Sequence, residues 1–338
     1  MKGLQRTSLT LLAVLGACLL ALLFQKYPAP NADLTLKQDP ENGGSPSPDP
    51  AGPELVSAGA VNPAHPAPSS PSDSAMQWSI LAGLLERPHA RPKLAEVPLL
   101  SDENEARLIE LYRSIRSPWE KQHIIRMLAF GGSSASAQVL QDALTREYDG
   151  KSVTFPDANI LAYVPVLCGV LARRNDDALA FLVAGSKPEF WLSTGMWDSD
   201  YRTAARRTAV LTGRCIQGLC VSERSEGRDI LQFYREHPEE AVFLSANGEV
   251  GCFEGEVVGA AFKKALVSEV GIEEMMDQIL YDSDVSMRRF SEWSQRTPDG
   301  KSWEAWSTRV RAERHQVRRE ARERAVDGMR NEVEKKKG

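Results

Sequence analysis

Five histidines, His65, His89, His123, His237 and His315, come first, because imidazole is the side chain that most often holds zinc or moves a proton near neutral pH. They are scattered along the chain with no HExxH or HxxxH spacing, so no two can share one helical face as ligands. His123 falls in an apolar stripe and reads as a packing residue. The acidic pairs Asp198/Asp200 and Asp282/Asp284 lack the glycine and distal glutamate of an EF-hand loop and read as helix caps. GxSxG, P-loop and GxGxxG patterns are absent, so nothing marks a nucleophile elbow, a phosphate cradle or a dinucleotide fold. No enzymatic activity, metal or cofactor is expected.

Sulfur and aromatic chemistry are left. Cys168, Cys215, Cys220 and Cys252 are an even set, which in an exported domain permits disulfides. Cys215 and Cys220, five apart on one helix, would point too differently to bridge easily. Pairing of Cys252 with Cys215 or Cys220 across neighbouring units fits better, while Cys168, in the run Val164 to Leu171, also reads as a small buried hydrophobe. Phe190, Trp191, Met196, Trp197 and Tyr201 cluster in one connection around Gly195. Such rings either plug a gap between helices or anchor a partner, and the second use makes Phe190, Trp191, Trp197 and Tyr201 the candidate partner-binding residues.

These groups must be carried by elements that composition helps to place. Lys2 and Arg6 precede the uncharged run Leu9 to Phe24, and Lys26 and Pro28 end it. Its sixteen residues span roughly 24 Å as a helix, a short membrane anchor at residues 1–27. The charges put the N-terminus inside and the rest of the chain outside, facing the periplasm if the protein is bacterial. A cleaved signal peptide is one alternative. Lipidation at Cys18 is another, since Leu15-Gly16-Ala17-Cys18 resembles a bacterial lipobox. Eleven of the 20 prolines lie between Pro28 and Pro71, so residues 28–75 read as a disordered tether rich in Pro, Ala and Ser. The head that follows, residues 76–308, carries a net charge of −8, which excludes a basic nucleic-acid-binding domain.

After a transition segment at 76–100, helical periodicity runs from 101 to 290. Ser101-Asp102-Glu103-Asn104 reads as a cap and acidic first turn, followed by Leu108, Leu111, Tyr112 and Ile115 on one face. Ser117-Pro118 opens the next helix, Gly131-Gly132 stops it, and Ala135 to Tyr148 pairs with it. Three further pairs are expected: 160–174 with 178–184, 201–221 with 225–237, and 257–270 with 272–281. Leu140, Leu182, Leu231 and Ile279 align the second helices at offsets of 42, 49 and 48 residues. The segment 300–338 reads as a charged C-terminal helix. Within it, 309–337 holds 11 basic and 6 acidic residues and offers contact with an anionic surface.

The stretch Ser117-Pro118-Trp119 through Leu144, with its turn GGSSASAQVLQDAL, resembles a HEAT repeat. That resemblance implies an all-α solenoid of helical hairpins over about 101–281, with an extended binding surface and no catalytic residues. A second resemblance is to the membrane-anchored steric foldases of bacterial lipases. Val242-Phe243-Leu244-Ser245-Ala246-Asn247-Gly248-Glu249 reproduces the FLSA and GE of their FDYFLSA motif, but deep within the head and without the preceding aspartate and tyrosine. The expectation is therefore a membrane-tethered, extracytoplasmic helical-repeat binding or scaffold protein with a protein partner. A steric chaperone for a secreted enzyme and an enzyme of unrecognised type are the alternatives.

Overall fold

The computed structural model describes residues 71–87, 90–115, 117–145, 155–193, 203–280 and 283–335. The anchor run, Cys18 and the tether up to residue 70 lie outside the described residues, as do Gly195, Met196, Trp197 and Tyr201. Among the described residues no helix is long and apolar enough to cross a membrane. The described chain is overwhelmingly α-helical. Its twelve helices pack against each other in a way compatible with a helical-repeat fold.

The first helix, α1 (Pro71–Leu85), begins inside the segment expected to be tether. Only Leu81 and Leu84 of α1 are buried apolar residues, so its pattern is faint in sequence. Its order comes from polar contacts to α2 (Asp102–Ser114) and the residues before it. Gln77 accepts from Ser101 N and Asn104 Nδ2 at 2.9 Å each and donates to Leu99 O, while the Arg107 guanidinium stacks 3.6 Å over Trp78. The cap on α2 is the expected one, with Ser101 Oγ accepting from Asn104 N.

Three helical hairpins follow: α3 (Pro118–Gly131) with α4 (Ser134–Thr145), α5 (Phe155–Ala172) with α6 (Asp176–Gly185), and, after the short α7 (Pro188–Ser193), α8 (Ala204–Val221) with α9 (Ser225–Glu236). Leu140, Leu182 and Leu231 are buried, one in each second helix. The hairpin turns are tied together. Glu105 of α2 accepts from the backbone and hydroxyls of Ser133 and Ser136, neutralising the N-terminus of α4. Arg174, in the α5–α6 turn, donates to Phe130 O at 2.6 Å and to Gly132 O at the end of α3. Asn175 donates to Ser134 and caps α6, in keeping with its place in the sequence. The next turn joins through the ion pairs Arg173–Glu223 and Arg224–Asp176.

The first helices of these hairpins form a row, α3 on α5 and α5 on α8, that α10 (Glu254–Glu274) extends by packing on α8. Before α10 comes a feature absent from the sequence reading, a two-stranded antiparallel hairpin of β1 (Val242–Leu244) and β2 (Val250–Cys252). It turns at Gly248, whose φ of +81° suits glycine. The last expected pair also departs from expectation. In place of a partner helix over 272–281, α10 kinks at Gly271, again at φ +81°, and ends in a π-helical turn, Met275–Ile279. α11 (Ser283–Arg296) and α12 (Pro298–Lys335) complete the chain. The first turns of α12 are part of the core, with Trp303, Trp306 and Val310 buried and Trp306 Nε1 donating to Tyr234 O.

The kink sends Asp277 to the other end of the row. Its carboxylate accepts from Leu94 N at 2.8 and 2.9 Å and lies 3.7 Å from Arg126 Nη2 of α3, with both side chains almost wholly enclosed. Arg126 also donates to Pro92 O. Removing one member of an enclosed ion pair strands the other charge, so Asp277→Ala should lower stability by about 3–5 kcal/mol in urea unfolding. A loss below about 1 kcal/mol would show that this contact does not hold the two ends together.

Candidate binding site

A groove of about 800 Å³ opens between the start of α8, the β-hairpin and the middle of α12. Four arginines line it, Arg206 from α8 and Arg314, Arg318 and Arg322 from α12, against one carboxylate, Glu249. The three on α12 are spaced by four residues, which puts them on one face at steps of about 6 Å. Thr203 caps α8 at the opposite wall by accepting from Arg206 N, so the positive end of an 18-residue helix opens into the same space. The floor is the strand edge from Gly248 to Cys252. Arg314 Nε and Glu249 Oε2 are buried there with no hydrogen-bond partner among the described residues. Such orphans cost roughly 1–3 kcal/mol each unless water or a bound group satisfies them. The arrangement can hold an anion.

Sequence marks only part of this groove. The basic stretch 309–337 is legible as a contact for an anionic surface, and Arg314, Arg318 and Arg322 fall within it. Arg206 and Glu249 lie far away in the chain, and only folding brings them opposite.

The aromatic candidates behave differently. Trp191 is fully buried, donates Nε1 to Gly185 O at 2.7 Å and meets Phe181 and Phe190 edge to face, so it is a packing plug and not a partner anchor. Phe190 is half-buried in the same cluster. Trp197 and Tyr201, at the other end of that connection, are outside the described residues.

The four cysteines among the described residues, Cys168, Cys215, Cys220 and Cys252, are free thiols, and no disulfide joins them there. Cys168 on α5 and Cys215 and Cys220 on α8 are buried. Burial pushes Cys168 and Cys220 up to about 12 and Cys215 well above the ordinary thiol value, which makes them inert packing groups. Cys252, half-buried in the groove floor, is raised by burial too, with Arg314 and Arg318 close enough to pull the other way.

A second, more apolar cavity of about 510 Å³ lies beside the Asp277 contact, lined by Trp119, Ile125 and Arg126 of α3, Tyr163 and Leu167 of α5, and Met276. His123, one turn from Trp119, is buried with neither ring nitrogen hydrogen-bonded among the described residues. Burial, with Arg126 and Arg91 nearby, holds it below the ordinary histidine value, so it packs as neutral imidazole.

The α8–α10 interface holds a polar network. Gln217 bridges from Arg214, at 3.0 Å, to the Glu256 side chain and backbone, and Arg214 lies 3.4 Å from Glu256. Lys263, buried in the same interface, is drawn down to about 8 by burial and then by Arg214, with Glu256 opposing. Between pH 8 and 10.5 the unfolded chain therefore keeps a proton that the folded chain sheds, and stability should rise with pH across that window. Lys263→Met should abolish that rise in urea unfolding midpoints and add roughly 1–3 kcal/mol at pH 7. Identical profiles for the two proteins would contradict the assignment. Compared with known proteins, the chain matches no family model, no curated protein and no solved structure.

Proposed function

We propose that this chain is a membrane-tethered, extracytoplasmic binding or scaffold protein whose head is a HEAT-like solenoid of helical hairpins. The tether is argued from sequence, from Lys2 and Arg6 before the apolar run Leu9 to Phe24 and from the Pro-rich segment after it. The repeat reading is supported by three successive hairpins whose first helices stack in a row and whose turns bond to one another. The observation that carries the function is the arginine-lined groove between the start of α8, the β-hairpin and α12, a concave surface with converging charge and unsatisfied polar atoms. Binding by such a module needs no chemistry of its own, only a partner of matching charge.

A steric chaperone is the second reading, favoured by one observation. The residues that resemble the foldase motif form the β-hairpin, and its Gly248 and Glu249 line this groove.

A photo-crosslinking residue in place of the exposed Arg322 should give a discrete adduct in intact cells, recovered with membranes and degraded by external protease once any outer membrane has been permeabilised. The same residue in place of Met287, exposed on α11, should not. Equal labelling at both positions, or an adduct protected from external protease, would overturn the proposal.

A further inference from the structure

We infer that the arginine groove recognises an extended acidic peptide segment of its partner, held against the outer edge of β2. The inference rests on the reading of the head as a binding module and names what that module takes. Its first support is charge and spacing. Arg314, Arg318 and Arg322 follow one another along the α12 wall of the groove at about 6 Å per step. Alternate side chains of an extended peptide recur at about 6.8 Å, so successive carboxylates on one side of a strand can each meet a guanidinium.

The second support is the backbone. Ser245 N donates to Glu249 O and Phe253 N to Ala241 O, with Phe243 opposite Gly251. Gly251 therefore turns its peptide groups toward β1, and Val250 and Cys252 turn theirs to the other edge. Residues Gly248 to Cys252 line the groove, and the sheet has two strands among the described residues. A third strand added at that edge would lie beneath the arginine row.

The third support separates a peptide from other anions. Arg314 Nε needs an acceptor, whereas Glu249 Oε2 needs a donor. A sulfate has no donor and satisfies the first alone, and a phosphate, although a P–OH can donate, packs its remaining negative charge into the same small group beside the other. A peptide carries carboxylate acceptors and N–H donors on one chain and satisfies both.

The test uses the full-length protein in neutral detergent and a fluorescein-labelled oligoglutamate, read by anisotropy. Binding is expected, weakening with salt, and Arg318→Glu with Arg322→Glu should weaken it about tenfold or more while the melting curve stays unchanged. Should that variant melt early, Arg318→Gln with Arg322→Gln is read instead, with the same expectation in smaller measure. Unlabelled oligoglutamate should displace the probe, and oligogalacturonate, inorganic phosphate and phosphatidylglycerol vesicles at equal charge should do so poorly. Binding unaffected by both arginine variants overturns the inference. So does better displacement by the glycan, the phosphate or the vesicles, or no binding of oligoglutamate at all. In those outcomes a groove-specific adduct at position 322 in cells would still stand, so failure of the acidic-peptide assignment is distinguishable from failure of the binding-module reading.

Discussion

α5 and α8 cross backbone to backbone, and the head is arranged around that crossing. A Cβ on Gly169 would overlap Gly218 O, and a Cβ on Gly218 would overlap Pro165 O. Two glycines on facing helices let the axes approach more closely than side chains would allow, and α8 is thereby sunk among α5, α6, α9 and α10. Each site follows from that placement. The start of α8 supplies Arg206 and a helix N-terminus to the groove, and its middle supplies Arg214 and Gln217 to the network on α10.

Around this centre, polar groups settle what apolar packing leaves open. Hydrophobic burial is non-directional, so it cannot by itself fix how far one hairpin slides along the next. Glu105, Arg174 and Asn175 bond to helix ends and turns, where backbone groups have no partner of their own, and they set that register. The Asp277 contact acts similarly at the opposite side. Burial raises its carboxyl above the ordinary value despite the Leu94 and Ala95 amides and Arg126, so the pair contributes placement more than net stability.

How much is legible in the sequence follows from the range of each signal. Ser101 and Asn175 cap helices through atoms three residues away, and their positions can be read directly. The stripe of α2 is readable because Leu108 and Tyr112 recur at helical spacing, whereas α3 is enclosed continuously from His123 to Gly131 and shows no single stripe. α1 escapes because its order depends on Gln77 meeting Ser101 and Asn104, contacts between segments that local pattern does not encode. The β-hairpin escapes because three-residue strands show no alternation, although Asn247-Gly248 is a turn signal that could have found it. The groove lies furthest from the sequence. One of its walls is a row of arginines on a helix that reads only as charged, and the facing wall comes from segments more than 60 residues earlier in the chain.

Position and function are thus linked through one close crossing, and Gly218→Ala is its sharpest test. Helix propensity alone would make this change stabilising by about 1 kcal/mol. The crossing predicts the opposite sign, a loss of roughly 1–3 kcal/mol in urea unfolding, with amide-exchange protection falling in α5 and α8 together. A gain in stability with unchanged protection in both helices would refute the close approach of α5 and α8.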